Sequence, residues 1–112
     1  ISLIALADDS QAPGVFQAAA DLDLSVPGDL SILGFGNQDH RSASALGLTT
    51  VEWPLKDMTE AAVSSIINVI EGRSPMTDIH PQASIDEEAP DGTPIATIPT
   101  RPVWRSSVAR RA

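Results

Sequence analysis

The sequence predicts an α/β fold, a parallel sheet with flanking helices, and two observations carry that expectation. Two short apolar runs, Ser2 to Leu6 and Leu30 to Phe35, bracket a segment with helical periodicity. A second helical pattern fills residues 54–72. There is no cysteine, so disulfides and thiolate metal sites are excluded and folding must rest on packing.

Each element has its own signal. Ser2 to Leu6 is nearly all apolar, as expected of a strand buried on both faces of a parallel sheet. Asp8, Asp9 and Ser10 then supply capping oxygens and negative charge, and Pro13 suits a first helical turn. Val15, Phe16, Ala19, Ala20 and Leu22 recur at helical spacing, which predicts a helix over 11–22. Pro27-Gly28 turns the chain, and Leu30 to Phe35 forms a second strand ended by Gly34 and Gly36. A crossover helix between two strands makes them parallel and the connection right-handed.

Residues 37–47, NQDHRSASALG, read as a loop or short irregular helix at the carboxyl end of that strand, where open α/β sheets hold ligands. Leu48 to Glu52 reads as a third short strand or crossing segment. In the helix from Pro54 to Gly72, an apolar stripe of Leu55, Met58, Ala62, Ile66, Val69 and Ile70 opposes Lys56, Glu60, Ser64 and Glu71. Gly72 stops it. Residues 73–100 carry five prolines and the acidic run Asp86, Glu87, Glu88, so they predict a mobile surface excursion with one short strand near 95–98. Arg101 to Ser107 predicts a last edge strand, with Val103 and Arg105 on one face and Trp104 packed in or against the sheet.

Composition narrows the function. With 112 residues, 42% hydrophobic and 20% charged, the chain is an ordinary globular sequence with at most one modest core. Its apolar runs fall well short of the roughly 20 residues that cross a bilayer. The net charge of −8 argues against a phosphate-binding surface. Arg101, Arg105, Arg110 and Arg111 cluster in the last dozen residues and read as a solvated tail rather than a nucleic-acid arm. A start of ISLIALADD, without Met or a basic leader, is expected of the interior of a longer protein.

Three motifs in order are more specific. They are Ala7-Asp8-Asp9-Ser10-Gln11-Ala12-Pro13-Gly14, then Val26-Pro27-Gly28-Asp29-Leu30-Ser31-Ile32-Leu33-Gly34-Phe35-Gly36-Asn37, then Leu48-Thr49-Thr50-Val51-Glu52-Trp53-Pro54. With Val103-Trp104-Arg105-Ser106-Ser107 at the end, the chain resembles the C-terminal part of the effector-binding core of the LacI/GalR transcription regulators. That family reads A-N-D-x-x-A-x-G, V-P-x-D-x-S-x-x-G-F/Y-D-D/N, P-L-T-T-V/I-x-Q-P and V-V-R-E-S-T at these places. The resemblance covers residues 1–72 well and 101–109 loosely, and 73–100 looks like a longer insert than usual.

The resemblance implies part of a periplasmic-binding-protein-like (type I) fold, incomplete as given. It assigns 1–47 to the C-terminal effector-binding subdomain, 48–72 to a crossing strand and helix of the N-terminal subdomain, 73–100 to the Pro-rich acidic insert, and 101–112 to a return strand and tail. It implies the effector-binding and dimerisation core of a cytoplasmic, homodimeric regulator. The effector would be a small molecule, with a sugar among the candidates, and DNA would be reached only through a missing N-terminal helix-turn-helix. A secreted periplasmic sugar-binding protein of a transporter shares the fold and is the rival reading. An enzyme is disfavoured, since no nucleophile and base pair can be named.

The implied ligand-binding set is Asp8, Asn37, Trp53 and Leu55. Asp8 stands at the family's cleft-facing Asn, where it could accept from ligand hydroxyls or simply cap the helix. Asp9 reads as a cap. Gly36 departs from the family's effector-binding Asp, leaving Asn37 as the adjacent polar group. Trp53 offers a stacking face or an interdomain packing residue, and Leu55 follows on the same side. No cofactor, metal or catalytic group is expected. His40 and His80 lack partners at ligand spacing and read as exposed loop residues, and the acids at 86–88 and 91 follow no EF-hand pattern.

Overall fold

The computed structural model describes residues 2–110. In chain order the elements are β1 (Leu3–Ala5), a 3-10 turn (Asp9–Gln11), α1 (Ala12–Asp21), β2 (Ser31–Gly36), α2 (His40–Ala45), β3 (Thr49–Glu52), α3 (Leu55–Ile70), β4 (Ser84–Glu88), β5 (Pro94–Thr97) and β6 (Arg101–Val103). They form two compact units. One comprises the chain up to Trp53 together with the chain from Arg101, the other Pro54–Thr100. The strand at 49–52 therefore belongs with the first unit, separate from the helix that follows it.

The first unit is a four-stranded sheet in the order β1-β2-β3-β6. β1 and β3 flank β2 in parallel, with Leu3 opposite Ser31 and Leu33 opposite Thr49, while β6 runs antiparallel to β3. The predicted βαβ unit is present. Helix initiation follows from the side chains: Asp8 accepts the Ser10 N–H at 2.8 Å, and Gln11 Oε1 accepts the Ala7 and Asp8 N–H groups at 3.1 and 3.4 Å, a reciprocal cap. Leu6, Ala12, Ala19, Leu30, Ile32, Ala43 and Leu48 form the core, with Val15 and Phe16 packed against it.

Two expectations fail here. β1 is not covered on both faces, because Leu3 is 48% exposed: the strand lies at the sheet edge with β2 as its sole neighbour among the described residues. Trp104 is 68% exposed rather than packed on the sheet. The chain beyond β6 is fastened instead by a serine. Ser107 Oγ donates to the Ile32 carbonyl at 2.6 Å and accepts the Thr49 N–H at 2.8 Å, and Ile32 N–H donates to the Ser107 carbonyl at 2.8 Å. Buried polar groups must be paired, so this serine rather than the indole ties the tail to two strands. Arg111 lies outside the described residues.

In the second unit the apolar stripe predicted for α3 is mostly uncovered, with Leu55 50%, Ile66 60% and Ile70 78% exposed. The face its own unit covers holds Ala61 and Asn68. Asn68 Nδ2 donates to the Thr77 and Pro75 carbonyls at 2.7 and 3.3 Å, and its Oδ1 accepts from Arg73 Nε at 3.1 Å. Gly72, at φ +71, ends the helix, and the amide of Asn68 then holds the returning chain.

The proline-rich stretch is more ordered than expected. β4 and β5 pair antiparallel, with Ser84 opposite Thr97 and Glu88 opposite Pro94. The connecting turn is closed by Ala89 N–H on the Thr93 carbonyl at 2.7 Å and contains Gly92 at φ +83. Pro90 and Pro94 fall where a hairpin tolerates them, in the turn and at a strand start. The acidic run falls on β4, with the Asp86 and Glu87 side chains outside the described residues. Among the described residues no helix is long and apolar enough to cross a membrane.

Candidate functional site

One carboxylate beyond the carboxyl end of β1 ties the residue after β2 to a side chain within β3. Asp9 Oδ2 accepts the Asn37 N–H at 2.8 Å and Oδ1 accepts the Thr50 hydroxyl at 2.7 Å. Asp9 therefore joins the turn before α1 to the end of β2 and to the body of β3, a larger role than the cap expected of it. Thr50 is fully buried and Asn37 is 8% exposed, so both donors depend on this acceptor.

Asn37 is the centre of a second set of bonds. Its Nδ2 donates to Glu52 Oε1 at 3.0 Å and its Oδ1 accepts from Arg105 at 3.2 Å. Arg105 also donates to the Leu48 carbonyl at 2.6 Å, and its backbone N–H donates to Thr49 Oγ1 at 2.9 Å. Glu52 in turn holds Arg101 through Oε2. Hydrogen bonds from Arg101 and Asn37 keep the Glu52 carboxyl below its ordinary value of 4.5.

That shift has a defined sign. A carboxyl that titrates lower when folded stabilises the fold above its ordinary value, and the stabilisation is lost as pH falls through the folded value. Glu52→Gln should therefore lower the urea midpoint at neutral pH and merge with the parent well below about pH 4. A gap of the same size at both pH values would show that the charge on Glu52 is not its source.

Beside this network lies a cavity of about 240 Å³, lined by Asp8, Asp9, Ser10, Pro13, Phe35, Gln38, Asp39, Ser42, Ala43 and Leu46. One wall is apolar and the other is acidic. Hydrogen bonds from Ser10 hold Asp8 below the usual carboxylate range, and those from Ser42 do the same for Asp39. Both are thus ionised near neutral pH and offer acceptors to hydroxyl or amine donors. Phe35 meets the Trp53 indole edge to face, with ring centroids 5.5 Å apart and planes at 79°. Trp53 is 41% exposed, and its backbone N–H donates to the Gly36 carbonyl at 3.2 Å.

Of the four candidate residues, Asp8 lines the cavity and Trp53 stands one ring away from it. Asn37 has both amide atoms engaged by protein. Leu55 opens α3 in the other unit. Gly36 adopts φ +117, a conformation that strains any side chain, and Asn37 follows at φ +53. The backbone turns here, out of the extended conformation of β2.

Sequence reasoning missed Asp9, Glu52 and Arg105 as parts of the site. The available signal was Thr49-Thr50 inside a predicted buried strand, since two buried hydroxyls require polar partners from elsewhere. His80 was also misjudged, because its side chain is 11% exposed and lies against Asp57 and Glu60.

The sequence matches the periplasmic binding protein-like domain over residues 2–108. It is 37% identical over 70 residues to the HTH-type transcriptional regulator MalR of Clostridium butyricum, a match covering 62% of this chain and 21% of that one. It is 25% identical over 107 residues to the lactose operon repressor of Rhizobium radiobacter, covering 96% of this chain and 80% of that one. The crystal structure of a LacI-family transcriptional regulator from Burkholderia phymatum superimposes with a TM-score of 0.65 at 28% identity, covering 98% of this chain and 34% of that one. The chain thus spans about a fifth of the length of the MalR protein and a third of that solved structure.

Proposed function

The chain belongs to the periplasmic binding protein-like domain family, as part of a LacI/GalR-type effector-binding core, and from that premise we propose that it senses a small polar molecule for a transcription regulator. The observation that carries this reading is the cavity at the carboxyl ends of the strands, with ionised Asp8 and Asp39 on one side and Phe35, edged by Trp53, on the other. At about 240 Å³ it falls below the roughly 300 Å³ at which drug-sized pockets begin. Acceptors beside an aromatic face suit a monosaccharide or another small polyol, whose hydroxyls donate and whose C–H face stacks. Asp8 takes the hydroxyls and Phe35 the ring face, with the Trp53 indole packed against that ring. Asn37 holds the strand ends in register through Glu52 and Arg105, and Leu55 remains a candidate contact on sequence grounds.

In the full-length protein, effector binding would shift a homodimer between arrangements that differ in their affinity for DNA, through a helix-turn-helix outside these residues. Such coupling needs differential effector affinity for the two arrangements. The transporter reading ranks second, because the named relatives are regulators.

Titrating the full-length protein with a panel of monosaccharides and polyols by calorimetry tests this. Trp53→Ala should weaken the best ligand by up to about tenfold, the worth of one aromatic contact, whereas Trp104→Phe should bind like the parent. Equal affinity in the Trp53 variant would remove the indole from the site.

A further inference from the structure

We propose that Asp57, Glu60 and His80 form a divalent-cation site in the second unit, with Zn²⁺ as the best-matched ion. Asp57 and Glu60 are three residues apart on α3 and so project from one face. The chain after the helix, held back by Asn68, brings His80 to them. One ligand atom from each of the three residues lies within 4.8 Å of the other two.

The distances favour an ion between these groups. His80 Nε2 is 3.4 Å from Asp57 Oδ1 and 3.5 Å from Glu60 Oε2. Both exceed the roughly 2.7–3.2 Å of an N–H···O hydrogen bond. They match the edge of about 3.4 Å of a tetrahedron whose metal–ligand bonds are about 2.1 Å long, the Zn–N and Zn–O length. One imidazole and two carboxylates supply three donors of the kinds that bind zinc, with the fourth position left to water. Lys56 reaches only the other oxygen of Glu60, at 3.7 Å, so the paired acids have little cationic compensation.

Loading has a structural consequence. His80 Nδ1 accepts the Gln82 N–H at 3.0 Å, which places the ring proton on Nε2 in the cation-free state. A cation on Nε2 moves that proton to Nδ1, and the ring stays neutral. The Pro81–Gln82 peptide is the middle of a turn closed by Ala83 N–H on the His80 carbonyl at 3.1 Å. Flipping that peptide, the change that separates type I from type II turns, withdraws the Gln82 N–H and offers the Pro81 carbonyl to Nδ1. The cation would thereby pin the insert to the helix.

The test uses the full-length protein, freed of metal by chelator and titrated with Zn²⁺ alone and with Co²⁺ alone. The expected result is one equivalent per chain, visible d–d bands from four-coordinate cobalt, and a moved Gln82 amide resonance. Asp57→Asn, which keeps the side-chain shape, and His80→Ala should each weaken binding at least tenfold, while His40→Ala should bind like the parent. No saturable uptake, uptake retained by either Asp57→Asn or His80→Ala, or uptake lost in His40→Ala would overturn the site.

Discussion

Gly34→Val is expected to destabilise the first unit severely. Gly34 lies in the central strand β2, between the turn that carries Asp9 and the side chains of β3. A Cβ there would stand 2.8 Å from Leu48 Cδ2 and 3.1 Å from Thr50 Oγ1, and well inside contact with Asp9 Oδ1. None of these can yield freely: Leu48 and Thr50 are fully buried, and Asp9 is tied to two donors. Overpacking a closed core costs about 1–3 kcal/mol, and occasionally more, per substitution. Alanine at 34 belongs at the upper end of that range. The two further methyl groups of valine take it beyond, against a total stability of about 5–15 kcal/mol for a typical domain. Thermal melts should show the loss directly. Gly14→Ala is the matched control, because its Cβ meets nothing within 4 Å and it lies inside α1. It should raise stability by about 0.5–1 kcal/mol. Equal melting temperatures for the parent and the Gly34 variant would mean that β2 and the Asp9 turn are not as close as described.

The contrast between these two glycines shows what was legible in the sequence. Periodicity places α1 and α3 and apolar runs place β1 and β2, because each depends on neighbours a few residues away, and the crossover helix then makes that pair parallel. The role of Gly34 depends on residues 9, 48 and 50, which no local pattern links. The same holds for Trp104: its large apolar side chain suggested packing, yet Ser107 reaches the sheet three residues later and leaves the indole exposed. The hairpin at 84–97 was hidden because its prolines read as breakers, although Pro94 sits harmlessly at a strand start. At the candidate site, the order of motifs singled out Asp8, which lines the cavity, and Trp53, which stands behind Phe35. Asp9, Glu52 and Arg105 were not, since their partners lie 15 to 68 residues away. His80 was hidden for the same reason, as its acids lie on a different element.

Asp9→Ala should produce the second large effect, and its size relative to Asp8→Ala tests how the work is divided between adjacent carboxylates. Asp8 caps an exposed 3-10 turn, so its removal should cost clearly less than that of Asp9. Asp9 accepts from two donors that have no water to fall back on, the Asn37 N–H and the Thr50 hydroxyl. A hydrogen bond to a charged group contributes about 1.5–3 kcal/mol, and stranding its buried partner adds to the loss, so about 3–5 kcal/mol is expected. Asp9→Asn keeps one acceptor oxygen and should recover part of that. The damage should also reach the cavity, because Asn37 follows Gly36 at the end of β2. Effector affinity should therefore fall in Asp9→Ala at temperatures where the variant is still folded. Asp9 and Gly34 should couple as well. Removing the Asp9 carboxylate removes one of the atoms that an alanine at 34 would strike, so the double variant should lose less than the two single losses combined. Chemical denaturation of the four proteins in that cycle measures the difference. Strict additivity would place Asp9 away from Gly34 and break the link between the capping turn, the central strand and the site.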